Sequence, residues 1–288
     1  MCRVVDPKPP KNIFDLPPLR DVIEQHGLLA QKDLGQNFLL NMDVTRRIAG
    51  AAGNFEDVTA VEIGPGPGGL TRALLERGAK VVAIERDHRC VEILAAIQET
   101  VPSRLQIIEG DALEISPQSI VPQGNIKIVA NLPYNIGTIL LIQWLSNLDR
   151  IISLTLMFQK EVALRLFARP RTKDYGRLSV ITQWLCEGRR LFDLAPGAFT
   201  PAPKIVSSVV HLQPKSLSGT EKALLPAVMT ITRHAFGQRR KMIRSSLKPL
   251  FGEEKLTHLG LNPCARAEEL TVADYLLLAQ SISMPVAN

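Results

Sequence analysis

Val58-Thr59-Ala60-Val61-Glu62-Ile63-Gly64-Pro65-Gly66-Pro67-Gly68-Gly69 decides the fold of this chain. The apolar run Val58–Ile63 predicts a buried strand, the glycines a tight turn, and Leu70–Arg77 a helix. Glycine lets such a turn reverse sharply and lets a ligand approach the backbone, while the helix start offers free N–H groups and partial positive charge. Gly64, Gly66 and Gly69 fit G-x-G-x-x-G, and Glu85 ends a second apolar run, Val81–Ile84, where that pattern expects a ribose-binding acid. A cofactor containing adenosine is therefore expected, with a purely structural Gly-Pro turn as the alternative. Two details disfavour a dinucleotide. Pro65 and Pro67 have no N–H to offer a pyrophosphate, and Glu62 places a carboxylate beside the ligand. A carboxylate repels phosphate and suits a cation, and S-adenosylmethionine carries an ammonium, a sulfonium and no phosphate.

Outward from this stretch the pattern alternates. Strands are predicted at Val81–Ile84, Leu105–Ile108, Ile126–Ala130 and Ile151–Phe158, with helices at Asp87–Thr100, Thr138–Ser146, Gln159–Ala168 and Arg177–Glu187. Such alternation gives an open, doubly wound α/β sheet whose ligands lie at the carboxyl ends of the strands. Gly64, Glu85, Asp111 and Asn131 each follow an expected strand end. Ile205–Leu212 alternates as a late strand, expected to return as an antiparallel edge or hairpin. Leu34–Leu40 reads either as a helix-entry loop, with Asn41 or Asp43 as cap, or as a lid over the cofactor.

Length and charge set the domain plan. The 288 residues suffice for one large domain and a small one. Residues 1–18 are proline-rich and expected to be loosely ordered, 19–214 form the α/β domain, and 215–288 form a small helical domain. The net charge is +6, yet Lys215–Leu250 alone holds eight Lys/Arg and one acid, leaving −1 for the rest. Arg233, Arg239, Arg240, Lys241 and Arg244 crowd that segment beside an apolar stripe of Phe236, Ile243, Leu247 and Leu250, which suggests a polyanionic partner. Four scattered cysteines and five scattered histidines form neither a disulfide framework nor a metal spacing, so no metal is expected. No apolar run approaches a membrane span, and a reduced cytoplasmic location is the default.

Asn131-Leu132-Pro133-Tyr134 presents a side-chain amide, a carbonyl before a proline and an aromatic ring at one strand end. The exocyclic amine of adenine is a poor nucleophile, because its lone pair is delocalised into the ring. The Asn131 side-chain oxygen and the Leu132 carbonyl supply two acceptors for its N–H bonds, and Tyr134 supplies a surface for stacking a flipped base. A strand-end turn with a packed tyrosine is the structural alternative.

LGQNFLL, VEIGPGPGGLT, AIERD, EGDAL, NLPYNI, FQKEVALRL, YGRLSV and AFTPAPKIVSSVV resemble, in this order, the rRNA adenine N6-dimethyltransferases over about residues 30–275. The bacterial small-subunit (16S) branch resembles it most. The resemblance implies a seven-stranded class I methyltransferase fold, S-adenosylmethionine as donor, and 16S rRNA of an immature small subunit as substrate, dimethylated at two adjacent adenosines of its 3′-terminal hairpin. It implies that Asn37 and Leu39 line the cofactor, that Gly64 contacts its methionine part, that Glu85 holds its ribose and that Asp111 bonds its adenine amine. Asn131 then sits between cofactor and target amine, Tyr134 and Phe199 sandwich the target adenine, and the basic C-terminal helices dock the RNA. A monomer is the default. Large-subunit rRNA methylation of the antibiotic-resistance type is an alternative, as is a pre-ribosome assembly factor without required catalysis; a nicotinamide oxidoreductase would leave NLPY and the basic tail without a purpose.

Overall fold

The structure, a computed structural model, describes residues 12–31 and 33–283. Nine strands lie among them: β1 (Phe38–Leu39), β2 (Val58–Ile63), β3 (Lys80–Glu85), β4 (Leu105–Glu109), β5 (Asn125–Asn131), β6 (Ile151–Gln159), β7 (Cys186–Leu194), β8 (Phe199–Thr200) and β9 (Ser207–Pro214). Seven form one sheet in the order β4-β3-β2-β5-β6-β9-β7. The pairings β2–β3, β3–β4, β2–β5 and β5–β6 are all parallel. The chain winds outward from β2 to β4, then returns to lay β5 on the other side of β2. That reversal opens a crevice at the carboxyl ends of β2 and β5.

Within the described residues the chain divides into two compact units. One gathers residues up to 140 with 149–159 and 191–211; the other gathers 141–148, 160–190 and 212 onward. The first unit has a continuous core. Ala60, Val81, Ala83 and Val129 from the sheet pack with Ile48 and Ala49 of helix Met42–Ala51, Ala73 and Leu74 of helix Gly69–Glu76, and Leu94 and Ile97 of helix His88–Thr100. Strands buried on both faces need a largely apolar composition, which is why Val81–Ile84 of β3 reads as a continuous apolar run and β2 is broken only by Thr59 and Glu62. In the second unit, helix Leu225–Gly237 buries Val228, Ile231, Thr232 and Ala235, the spacing of one helical face. The ring of Phe236 lies 6.0 Å from that of Tyr175 and 5.7 Å from that of Tyr275.

Several expectations need correction. Helix Arg177–Leu185 does not run to Glu187, because β7 starts directly at Cys186. This strand left no alternating signal, since Glu187, Gly188, Arg189 and Arg190 are four consecutive exposed residues. β7 is therefore the edge; of the two placements expected for the late strand, now Ser207–Pro214, the edge is excluded, because the strand lies between β6 and β7. The Leu34–Leu40 stretch leads into helix Met42–Ala51 with Asn41 as its cap, as expected, but it also contains a short strand, with Phe38 opposite Thr200 and Leu39 opposite Phe199 in an antiparallel pair. The Phe236–Leu250 stripe is split between helices Leu225–Gly237 and Ile243–Ser246 by a turn at residues 238–241. Of the N-terminal extension 1–18, residues 1–11 lie outside the described residues. Residues 12–18 are not loose: Asn12 caps a short 3-10 turn, Ile13 is 5% exposed within the core, and the Pro17 carbonyl accepts a bond from buried Arg72 at 2.6 Å.

Candidate active site

The glycine loop owes its shape to three left-handed residues, Gly64 (φ 63°), Gly66 (φ 56°) and Gly68 (φ 89°). Gly69 is needed for a different reason. A Cβ there would meet the Leu39 carbonyl oxygen at 2.5 Å, so helix Gly69–Glu76 can start only beneath a bare Cα. The loop is closed by its own hydrogen bonds. The Gly64 N–H donates to the Ile84 carbonyl at 2.9 Å, Gly66 to Glu85 Oε2 at 2.9 Å and Gly68 to the Pro65 carbonyl at 3.1 Å. Pro65 and Pro67 have no N–H. From 64 to 68, therefore, every backbone donor is engaged or absent, and the loop has none left for a phosphate. With its N–H engaged, Gly64 offers a ligand its carbonyl, an acceptor matched to an ammonium.

Glu85 ends β3 within this loop. Its Oε1 accepts from the Arg86 and Asp87 N–H groups at 2.8 and 2.9 Å, and its Oε2 accepts from Gly66. Burial pushes its carboxyl upward, against the pull of these bonds. The oriented carboxylate borders the cleft, and Oε2, with one bond accepted, keeps capacity for a hydroxyl group. Glu62, 1% exposed, accepts from the Thr71 hydroxyl at 2.7 Å; burial pushes its carboxyl up to about 8, and neighbouring Glu85 adds to the rise. Asp111 follows β4. Its Oδ1 takes the Leu113 N–H at 2.9 Å and its Oδ2 pairs with exposed Arg86 at 3.1 Å, which leaves acceptor capacity for an amine.

The opposite wall comes from the end of β5. The Pro133 carbonyl accepts from Ile136 and Gly137 at 3.2 and 3.0 Å, closing a turn that leads into helix Gly137–Ser146. Asn131 Nδ2 donates to the Asn37 carbonyl at 3.1 Å, which fixes the amide so that Oδ1 is its open acceptor. Tyr134 is half-buried, and its hydroxyl lies 2.5 Å from Ser207 Oγ at the start of β9. Burial raises its phenol, and the Ser207 bond opposes the rise. The lid segment is tied down as well. Gln36 Nε2 donates to Asp87 Oδ2 at 2.8 Å, and the hydrogen bond from Arg89 holds that Asp87 carboxyl below its usual range.

These parts line one cleft of about 1050 Å³, including its solvent-open portion, within the first unit. Asn37, Leu39, Gly64, Glu85, Asp111, Asn131, Leu132 and Tyr134 all border it. Phe199 does not. It is 4% exposed and packs in the core, because β8 turns Phe199 inward and Thr200 outward. The basic residues lie in the second unit, and they are not equivalent. Arg233, Arg240 and Lys241 are exposed, Arg244 pairs with Glu253 at 3.4 Å, and Arg239 donates to the carbonyls of Lys173 and Tyr175 at 2.9 Å each. Asp87, Thr71 and Ser207 were not expected at the site. Only Asp87 left a trace in the sequence, as a helix-capping residue two positions after Glu85. Among the described residues no group of three His, Cys, Asp or Glu side chains could hold a metal, and no helix is long and apolar enough to cross a membrane.

Acceptors suited to an ammonium, a ribose hydroxyl and an adenine amine, beside a loop with no spare N–H at residues 64–68, fit S-adenosylmethionine better than a dinucleotide. Comparison with known proteins agrees. The family model described as ribosomal RNA adenine dimethylase matches residues 27–284. The chain is 52% identical over 279 residues to the ribosomal RNA small subunit methyltransferase A of Rhizobium etli (strain CIAT 652), covering 93% of this chain and 98% of that protein. It is 54% identical over 273 residues to the protein of the same description from Rhodospirillum rubrum, covering 93% of each. Among solved structures it resembles a dimethyladenosine transferase from Plasmodium falciparum, with 26% identity, a TM-score of 0.70 and coverage of 84% of this chain and 96% of that one. It also resembles the 23S rRNA methyltransferase ErmE, with 28% identity, a TM-score of 0.64 and coverage of 86% and 100%. A glycine loop whose own N–H groups are engaged or absent, a strand end suited to an exocyclic amine and a match across nearly the whole chain lead to one conclusion: this chain belongs to the ribosomal RNA adenine dimethylases, a family of class I S-adenosylmethionine-dependent methyltransferases.

Proposed function

We propose that the chain dimethylates N6 of two adjacent adenosines in the 3′-terminal hairpin of 16S rRNA, acting in the cytoplasm as a monomer on an immature small subunit during its biogenesis. The observation that carries this reading is that Asn131, Leu132 and Tyr134 border the same cleft as Gly64, Glu85 and Asp111. An amine-orienting strand end thus adjoins a pocket for a cationic adenosine derivative.

S-adenosylmethionine, when bound, supplies an electrophilic methyl group on a sulfonium. Gly64, Glu85 and Asp111 hold its methionine, ribose and adenine parts, with Asn37 and Leu39 covering it. Asn131 Oδ1 and the Leu132 carbonyl accept the two N6–H bonds of the target adenine, which turns the nitrogen lone pair out of conjugation and toward the cleft. Catalysis is then positioning and electrostatics, without a strong general base. The methylated amine is acidic and gives its proton to water. In the second round N6 keeps one N–H, so one of the two acceptors stays free and the pocket takes up the first methyl group. Tyr134 stacks on the flipped base; the same role for Phe199 requires its ring to leave the core packing opposite Leu39.

The test uses labelled S-adenosylmethionine and undermethylated small subunits, with large-subunit rRNA and free adenosine as controls. Label recovered as N6,N6-dimethyladenosine at two neighbouring positions of the small-subunit 3′ hairpin is the expected result. Label confined to large-subunit rRNA would overturn the substrate assignment. Tight subunit binding without label would leave an assembly factor.

A further inference from the structure

Between helices Lys160–Leu166 and Arg177–Leu185 of the second unit runs the loop Arg169-Pro170-Arg171-Thr172-Lys173-Asp174-Tyr175-Gly176. Arg169, Arg171 and Lys173 are exposed, and their side chains form no hydrogen bond or ion pair among the described residues. The only carboxylate in the loop is half-buried Asp174. Isolated cations are usually mobile, but this loop is held at many points. Thr172 donates to the Arg169 carbonyl through both its N–H (3.3 Å) and its hydroxyl (2.7 Å). The Arg171 N–H donates to the Glu268 carbonyl at 2.7 Å, and Arg171 has the left-handed φ of 68°. Tyr175 is fully buried beside Phe236.

Arg239 completes the frame. Its guanidinium, which composition alone assigns to RNA, bonds the Lys173 and Tyr175 carbonyls from the turn that also carries exposed Arg240 and Lys241. Two cationic segments distant in sequence are thereby fastened together. A set of unpaired guanidinium and ammonium groups carried on an anchored backbone matches a sugar–phosphate backbone better than a protein surface. Because the backbone is already ordered, binding costs less conformational entropy.

We propose that Arg169, Arg171 and Lys173 form a second phosphate-contacting segment, continuous with Arg240 and Lys241, and that Arg239 is the strut joining the two rather than an RNA contact. The proposal rests on the RNA-substrate reading above.

Binding of the full-length protein to undermethylated small subunits and to protein-free small-subunit rRNA, measured across a salt series, tests it. The triple variant Arg169→Gln/Arg171→Gln/Lys173→Gln should bind both about 10- to 100-fold more weakly, with the log–log salt slope reduced by about two to three, while its melting temperature and S-adenosylmethionine affinity match wild type. Arg239→Gln should lower the melting temperature, whereas Arg240→Gln should not. An unchanged affinity and slope in the triple variant would overturn the proposal. So would weakened binding to intact subunits with unchanged binding to bare rRNA, which would assign the loop to a ribosomal protein. An Arg239→Gln variant of unaltered melting temperature and a slope reduced by about one would make Arg239 itself the phosphate contact. Failure of wild type to bind either RNA would overturn the substrate reading along with this proposal.

Discussion

The side-chain amide of Asn131 is held by the backbone of Asn37, whose carbonyl accepts from Nδ2 at 3.1 Å. The residue proposed to orient the target amine is thus held by the segment proposed to cover the cofactor. Asn131→Ala removes both the acceptor and this link. Its methyl transfer rate should fall at least about 100-fold, the scale of losing one preorganised polar group at a reacting centre, while S-adenosylmethionine affinity changes only a few-fold. Asn131→Asp should be similarly impaired, because a carboxylate opposes the Asn37 carbonyl instead of donating to it. Single-turnover kinetics beside calorimetric titration of the cofactor separate the two effects; equal losses in both would remove Asn131 from the target amine.

Glu62 makes stability depend on pH with a definite sign. Its carboxyl is raised from the ordinary 4.5 to about 8 in the folded state, chiefly by burial. The folded protein then holds a proton that the unfolded chain has released between these values. The contribution is fully present below about 4.5 and is lost as pH rises toward about 8. The slope is at most about 1.4 kcal/mol per pH unit, the value of 2.303RT. Glu62→Gln keeps an acceptor for Thr71 and loses the titration. Melting temperatures of the two proteins from pH 5 to 9 should diverge, the wild type declining more steeply toward pH 8. Parallel curves would show that Glu62 titrates normally.

Gly69 and Gly219 are paired controls for one another. Both begin helices, where alanine is ordinarily preferred by about 0.5–1 kcal/mol. A methyl group at Gly219 meets nothing within 4 Å, while one at Gly69 lies 2.5 Å from the Leu39 carbonyl. Gly219→Ala should be neutral or slightly stabilising by thermal melting. Gly69→Ala should destabilise by more than about 1 kcal/mol and weaken cofactor binding, because the cleft-lining Leu39 must move.

Tyr134 joins an observed bond to Ser207 with the proposed stacking role, and two substitutions divide them. Tyr134→Phe keeps the ring but leaves buried Ser207 without its 2.5 Å partner, at a cost of about 1–3 kcal/mol in stability and little in transfer rate. Tyr134→Ala removes the stacking surface, worth about 1–3 kcal/mol, so kcat/KM on small subunits should fall about 10- to 100-fold. Similar activity losses in both variants would point to the hydroxyl as the active part.

What the sequence disclosed follows from what leaves a periodic trace. Gly64, Glu85, Asp111 and Asn131 were legible because each lies at or just past the end of a strand rich in apolar residues, and a parallel sheet gathers such ends along one edge. β7 was not, because Glu187–Arg190 face solvent and bury nothing that could alternate. The β1–β8 pair was not, because two-residue strands have no period, so the inward turn of Phe199 had no signal. Arg239 shows the limit of composition: within one basic cluster, only the fold distinguishes a guanidinium that holds two carbonyls from its neighbours Arg240 and Lys241.

The engaged N–H groups of residues 64–68 also act on molecules that must be kept out. A cell holds ATP and NAD in abundance, and both carry the adenosine that Glu85 and Asp111 would accept. Their phosphates would find two proline rings, three donors already taken and the Glu62 side chain nearby. Selectivity here is achieved by subtraction. The strand–turn–helix plan shared with nucleotide-binding proteins is kept, and the loop donors of residues 64–68 that a phosphate would use are withheld.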